Sequence, residues 1–169
     1  NQPIELIEAE LPLRVEEYGL VPDSGGAGAY RGGLALVREY RLLADEATLT
    51  VRSDRRAHPP YGVAGGRAGT PSCNILNPGP GQRVLPTLPM EAVRLRRGDV
   101  FRHVMAGGGG YGDPLERDPQ MVLEDVLDEK QTAAYARREY GVVIDPEAMA
   151  VDVPATERLR AEIGRRSEP

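Results

Sequence analysis

Through the first two thirds of the chain, apolar residues recur at every second position. Leu13 and Val15 alternate with Arg14 and Glu16. Leu34, Leu36, Tyr40 and Leu42 keep an even spacing, and Leu49 and Val51 sit among Thr48, Thr50 and Arg52. Val93 and Leu95 alternate with Arg94 and Arg96, and Val100, Arg102 and Val104 oppose Phe101, His103 and Met105. A period of two places one set of side chains on a core face, so residues 4–105 read mostly as strands. Gly98-Asp99, between the last two runs, predicts a tight hairpin turn. The interval 58–89 breaks the pattern with Pro59-Pro60, Gly65-Gly66, Pro71 and Asn77-Pro78-Gly79-Pro80-Gly81. It predicts long ordered loops with one short strand near 74–76. Loops of that length inside a compact domain are uncommon and often functional.

After Asp113 the period lengthens to that of a helix. Asp118 followed by Pro119 is a start signal, a side-chain acceptor at the cap and a proline at the first helical position. Val122, Leu123, Val126 and Leu127 then share one face, with Glu124, Asp125 and Asp128 on the other. A second helix is expected over about 132–140, ended by Gly141. Val142-Val143-Ile144 predicts a strand, and 154–166 a last amphipathic helix, after which the chain is expected to fray. The fold class that results is α+β: a β-rich N-terminal part, sandwich- or barrel-like with long loops, followed by a short helical C-terminal part. The expected divisions are a β-rich domain over 1–106, a glycine-rich loop with helices over 107–145, and a helix and tail over 146–169.

Composition narrows the functional classes. The 169 residues are 40% apolar and 28% charged, with a formal net charge of -5. The acidic balance argues against a general nucleic-acid binder, which needs a basic stripe to neutralise phosphates. No apolar run approaches the roughly 20 residues of a membrane span. One cysteine, Cys73, cannot form an internal disulfide, and two histidines cannot build a histidine-rich metal site, so no metal is expected here. With no secretory signal pattern, a reducing cytoplasm is the expected compartment. The chain begins at Asn1, directly in patterned sequence, which is read as a piece of a longer polypeptide.

Three constellations could carry chemistry. In Asp23-Ser24-Gly25-Gly26-Ala27-Gly28, followed by Tyr30-Arg31-Gly32-Gly33, consecutive exposed N–H groups can form an anion-binding nest to which Arg31 adds charge. The bland alternative is a turn between strands with Asp23 and Ser24 bonding their own backbone. Arg52-Ser53-Asp54-Arg55-Arg56 ends a strand, where polar groups can face a pocket; an internal Asp54–arginine ion-pair network is the alternative. The run Gly107-Gly108-Gly109-Gly110 before Tyr111-Gly112-Asp113-Pro114 has no side chains to pack. It is either threaded through a crowded space or forms a flexible, anion-receptive loop. The substrate- or phosphate-binding candidates are therefore Asp23, Ser24, Arg31, Arg52, Asp54, Gly108, Gly109 and Gly110. No phosphate loop and no Gly-x-Ser-x-Gly elbow is present, and no residue is identified as catalytic.

These motifs, taken in order with Arg14-Val15-Glu16, Asn77-Pro78-Gly79, Gly98-Asp99-Val100, Arg117-Asp118-Pro119, Val122, Asp125-Val126 and Tyr140-Gly141-Val142-Val143, resemble the C-terminal portion of the hydantoinase B/5-oxoprolinase family, which includes acetone carboxylase alpha-type subunits. The resemblance covers residues 1 to about 145. It implies an ATP-dependent enzyme that hydrolyses the C–N bond of a cyclic amide (a lactam or imide). It further implies an ATP-binding A-type partner or fused half, which phosphorylates the carbonyl, and an N-terminal part of the same chain. ATP and Mg are implied for the complex through that partner, with no cofactor held by this segment, which alone is expected to be inactive. The alternatives are a fragment of a ketone carboxylase of the alpha type or a structural and assembly domain of such an enzyme. Self-association is a further expectation.

Overall fold

The computed structural model describes residues 2–167, so the last two residues, where fraying is expected, lie outside it. It is 24% helix and 27% strand, β-rich in its first part and helical toward the C-terminus, with no closed barrel. The N-terminus departs from the strand pattern. Ile4–Glu10 is a helix, α1, preceded by Pro3. Only Ile4 and Ile7, one turn apart, are half-buried. The helix buries a single narrow stripe, which a period-two reading of so short a segment misses.

Seven strands follow: β1 (Leu13–Val21), β2 (Ala35–Leu42), β3 (Glu46–Leu49), β4 (Cys73–Leu76), β5 (Arg83–Leu85), β6 (Val93–Arg96) and β7 (Val100–Val104). Five form one sheet in the order β1-β2-β7-β4-β5, and β3 pairs with β6 in a second. The inward residues make a side-chain core of Leu42, Val51, Leu76, Leu85, Val93 and Leu95, with Leu13, Ala47, Leu49 and Phe101 packed on it. This is a sandwich. Residues Asn1–Leu20, Leu36–His58 and Pro71–Ala106 form this first compact unit.

The expected hairpin at Gly98-Asp99 is not one. A tight turn is there, with the Asp99 N–H donating to the Arg96 carbonyl at 2.9 Å and Gly98 at φ +91°, but β6 belongs to the small sheet and β7 pairs with β2 and β4. The Gly98 N–H is taken by the Leu42 carbonyl and the Leu42 N–H by the Asp99 carbonyl, which carries the chain across from one sheet to the other. Likewise the strand expected through Val51 stops at Leu49, although Val51 remains inward at 6% exposure.

The second unit gathers Val21–Ala35, Pro59–Thr70 and Gly107–Pro169. After a 3-10 turn at Pro114–Glu116 come α2 (Pro119–Leu127), α3 (Ala133–Tyr140), the two-stranded pair β8 (Ile144–Asp145) and β9 (Ala150–Val151), and α4 (Val153–Ser167). Asp118 caps α2 by accepting the Gln120 N–H, Thr132 caps α3 by accepting that of Tyr135, and Gly141 closes α3 in the left-handed region at φ 61°. Asp118 and Gly141 match the start and stop signals in the sequence. The strand expected over 142–144 reduces to Ile144; Val142 instead joins the core of Ala27, Val122, Tyr135, Ala136 and Tyr140.

Candidate functional site

The glycine motifs meet in the second unit. The run 107–110 passes between other extended stretches of main chain and touches a different one on each side. A Cβ added at Gly107 would overlap the carbonyl of Ser24, one at Gly110 that of Ala27, one at Gly109 that of Tyr61, and one at Gly108 would press on the Gly33 N–H. The fit is reciprocal: Cβ atoms at Gly69, Gly66 and Gly32 would overlap the carbonyls of Gly107, Gly110 and Gly108. Gly107 and Gly110 meet Ser24 and Ala27, a spacing of three on both segments, and neither segment belongs to a helix or strand with bonds of its own. Here the bonds run sideways, from Gly26 N–H to Gly108 carbonyl (2.8 Å), Gly108 to Gly33 (2.8 Å), Gly110 to Arg67 (2.9 Å), Gly107 to Thr70 (3.0 Å) and Arg67 to Ala27 (2.7 Å). Only glycine lets backbones approach so closely.

The tetraglycine is therefore threaded through space crowded by its own chain. The N–H groups of Gly108 and Gly110, two of the three candidates of this run (Gly108, Gly109 and Gly110) for a phosphate cradle, already donate to carbonyls, as does that of Gly26 in the first motif. Tyr30 and Tyr111, bridged to each other through their main chains, stand exposed at one end of the bundle.

Asp23, Ser24 and Arg31 are engaged in the same way. The Asp23 carboxylate accepts both the N–H (2.7 Å) and the hydroxyl (2.8 Å) of Thr132, extending the cap of α3. The Ser24 hydroxyl donates to the Val21 carbonyl at 2.5 Å and accepts the Ala35 N–H at 2.7 Å. The Arg31 guanidinium forks onto the Asp125 carboxylate at 3.1 and 3.3 Å. Arg117 reaches that carboxylate at 2.8 Å and the Ala29 carbonyl at 3.0 Å. The helical pattern puts Asp125 on the outward face of α2. Its side chain is instead 6% exposed and bridges two arginines, because a buried charge must be paired to be tolerated. Composition alone could not find that pair. Both Arg117 and Asp125 do stand among the residues that carry the family resemblance.

Arg52 and Asp54 belong to the first unit. Both are exposed, and among the described residues neither joins an ion pair, so the internal network considered from sequence does not form. Between them Ser53 opens a buried polar row. Asn74, with no exposed surface, donates through Nδ2 to the Ser53 hydroxyl (2.8 Å) and the Pro86 carbonyl (3.3 Å), and its Oδ1 lies 2.7 Å from His103 Nδ1. Since a carbonyl only accepts, the Pro86 contact fixes the amide orientation. His103 must then carry its proton on Nδ1 and present Nε2 as a lone pair. Burial first, and the charge of Arg38 second, hold the imidazole below its usual pKa. Sequence reasoning gave no role to Asn74 or His103; their pairing across β4 and β7 depends on strand register.

Among the described residues no three His, Cys, Asp or Glu side chains converge as a metal site, and no helix is long and apolar enough to cross a membrane.

Comparison with known proteins agrees with this architecture. The chain is 36% identical, over 95% of its length and 27% of the relative's, to a Pseudomonas sp. (strain NS671) protein assigned as the B-type component of a D-/L-hydantoinase. It is 35% identical to the beta chain of the caprolactamase of Pseudomonas jessenii, over 94% of this chain and 28% of that one. The crystal structure of the ATP-dependent caprolactamase from that organism superposes with a TM-score of 0.80 at 31% identity, covering 95% of this chain and 28% of that chain. An acetone carboxylase in its nucleotide-free structure shares the fold, with a TM-score of 0.82 at 23% identity over 99% of this chain and 27% of that one. The chain thus spans little more than a quarter of the length of these relatives. The family model described as Hydantoinase B/oxoprolinase matches residues 1–114, and on that match the chain belongs to the hydantoinase B/oxoprolinase family.

Proposed function

We propose that this chain serves an ATP-dependent hydrolase of cyclic amides as part of its B-type component, next to an ATP-binding A-type component that activates the carbonyl. The observation that carries this reading is the identity, sustained across nearly the whole chain, with the B-type component of a hydantoinase and the beta chain of a caprolactamase. Names of that kind go with a partner. Phosphorylating an amide carbonyl oxygen turns a poor electrophile into one with a good leaving group, after which water can complete ring opening.

Within that enzyme the residues described above act as architecture. Of the glycine N–H groups that could cradle a nucleotide phosphate, those of Gly26, Gly108 and Gly110 are bonded to carbonyls of the bundle, which supports leaving nucleotide and Mg to the partner. Asp23 ties the bundle to the cap of α3 and Arg31 ties it to α2, while Ser24 joins Val21 to Ala35, which suits a rigid body that holds a neighbouring catalytic part. The carboxylase branch is the second reading, favoured by the shared fold; at 23% identity that likeness speaks for the fold alone, whereas the amide-hydrolase relatives share 35% and 36%.

The test is a panel of hydantoin, 5-oxoproline, caprolactam and acetone with bicarbonate, given with ATP to the full B-type protein and its A-type partner. Ring opening with stoichiometric phosphate release is expected for at least one cyclic amide. Carboxylation of acetone with no amide turnover would move the protein to the carboxylase branch.

A further inference from the structure

The second unit also holds a cleft of about 410 Å³, lined by Arg67 from the glycine bundle, Asp113, Pro114 and Leu115 from the 3-10 turn, Arg138 and Glu139 from α3, and Ile163 from α4. That volume lies at the lower end for small-molecule sites. Its charged groups are not equivalent. Arg138 is held by Glu139 at 2.8 Å and lies over the Tyr135 ring at 5.1 Å. Asp113 accepts the Leu115 N–H at 2.9 Å, which shapes the turn. The Arg67 guanidinium makes no hydrogen bond or ion pair among the described residues. Its main chain, by contrast, is clamped on both sides, the N–H on the Ala27 carbonyl and the carbonyl on the Gly110 N–H. Arg67 is exposed, and its fork, free of protein partners on a stem bonded through both main-chain groups, lines the same cleft as Pro114, Leu115 and Ile163.

We propose that this cleft binds a small aliphatic carboxylate, with the carboxylate on the Arg67 fork and the hydrocarbon body against Leu115, Pro114 and Ile163. A planar guanidinium matches a carboxylate with two parallel hydrogen bonds, which an ammonium cannot do. The apolar wall then separates an aliphatic acid from inorganic anions, because only the former covers it. Gly65 and Gly164 line the cleft without side chains. This site goes beyond cyclic-amide hydrolysis and does not rest on it; it is a property of this segment alone.

The test is a titration of the 169-residue chain, followed by backbone amide chemical shifts, with hexanoate, hexylammonium and inorganic phosphate in parallel. Hexanoate is expected to saturate, with the largest shifts at residues 65–67, 113–115 and 163–164, and to bind at least tenfold more tightly than either of the others. Arg67→Ala is expected to weaken hexanoate at least tenfold with the remaining spectrum unchanged, and Arg67→Lys to recover only part of the loss. Leu115→Ser checks the apolar wall by weakening hexanoate while leaving acetate unchanged. The proposal fails if hexanoate does not saturate, if phosphate or hexylammonium binds equally well, or if Arg67→Ala binds hexanoate like the parent.

Discussion

The sandwich and the glycine bundle solve the same packing problem with opposite materials. In the first unit, space between two sheets is filled by branched side chains such as Leu42, Leu76, Leu85 and Leu95. In the bundle it is filled by main chain, and the condition for filling it is that side chains be absent. A sandwich core is damaged by removing atoms and the bundle by adding them. The two also satisfy their polar groups differently: ladders of strands in one, sideways bonds between extended segments in the other. Loss of a methylene in the sandwich leaves a void whose cost depends on how far neighbours relax. Addition of a methyl in the bundle presses on backbone, which has nowhere to turn.

The largest effect expected from this contrast is for Gly107→Ala, whose new methyl would overlap the Ser24 carbonyl. Overpacking typically costs about 1–3 kcal/mol, and a backbone neighbour puts this case at about 3 kcal/mol or above. Gly33→Ala is the matched control: its Cβ would meet nothing within 4 Å, and a change within about 0.5 kcal/mol is expected. Chemical denaturation of the two variants measures the difference; equal stabilities would refute the threaded-backbone account.

Next comes Asp125→Asn, which leaves Arg31 and Arg117 facing a neutral amide in a site 6% exposed. Breaking one side of a buried ion pair costs about 3 kcal/mol or slightly more. A loss below about 1 kcal/mol would mean that the bundle and α2 hold together without this bridge. Leu85→Ala in the sandwich, at 3% exposure, should lose ~2.5 kcal/mol by cavity formation. It sharpens the comparison, because the same Leu→Ala change at Leu127, 52% exposed on α2, should cost much less.

The smallest effect is the pH dependence of His103. Its pKa in the folded chain lies below the ordinary 6.5, through burial and the nearby Arg38. The unfolded chain takes up this proton near pH 6.5 and the folded chain only at lower pH. The contribution to stability is therefore complete above 6.5 and is lost as pH falls from there through the folded value. In His103→Gln, stability measured between about pH 7 and 5 should fall less steeply than in the parent; identical slopes would remove His103 as the source.

Several of these features are written locally in the sequence. The period-two stretches form β1, β2, β6 and β7, and the caps at Asp118, Thr132 and Gly141 bound their helices, because propensity and capping act within a few residues. The family resemblance rests on the same motifs and is confirmed over residues 1–114. Tertiary structure decided the rest. That β6 and β7 part into two sheets depends on which strands arrive to pair with each, not on the turn at Gly98 that joins them. That Asp125 turns inward depends on Arg31, 94 residues earlier, being brought to it. The four glycines announced a special backbone, but whether it faced a ligand or other main chain was fixed only by the convergence of stretches near residues 24–33, 61–69 and 107–112. A glycine carries no side-chain chemistry that names its neighbour, so its partner is set by the fold.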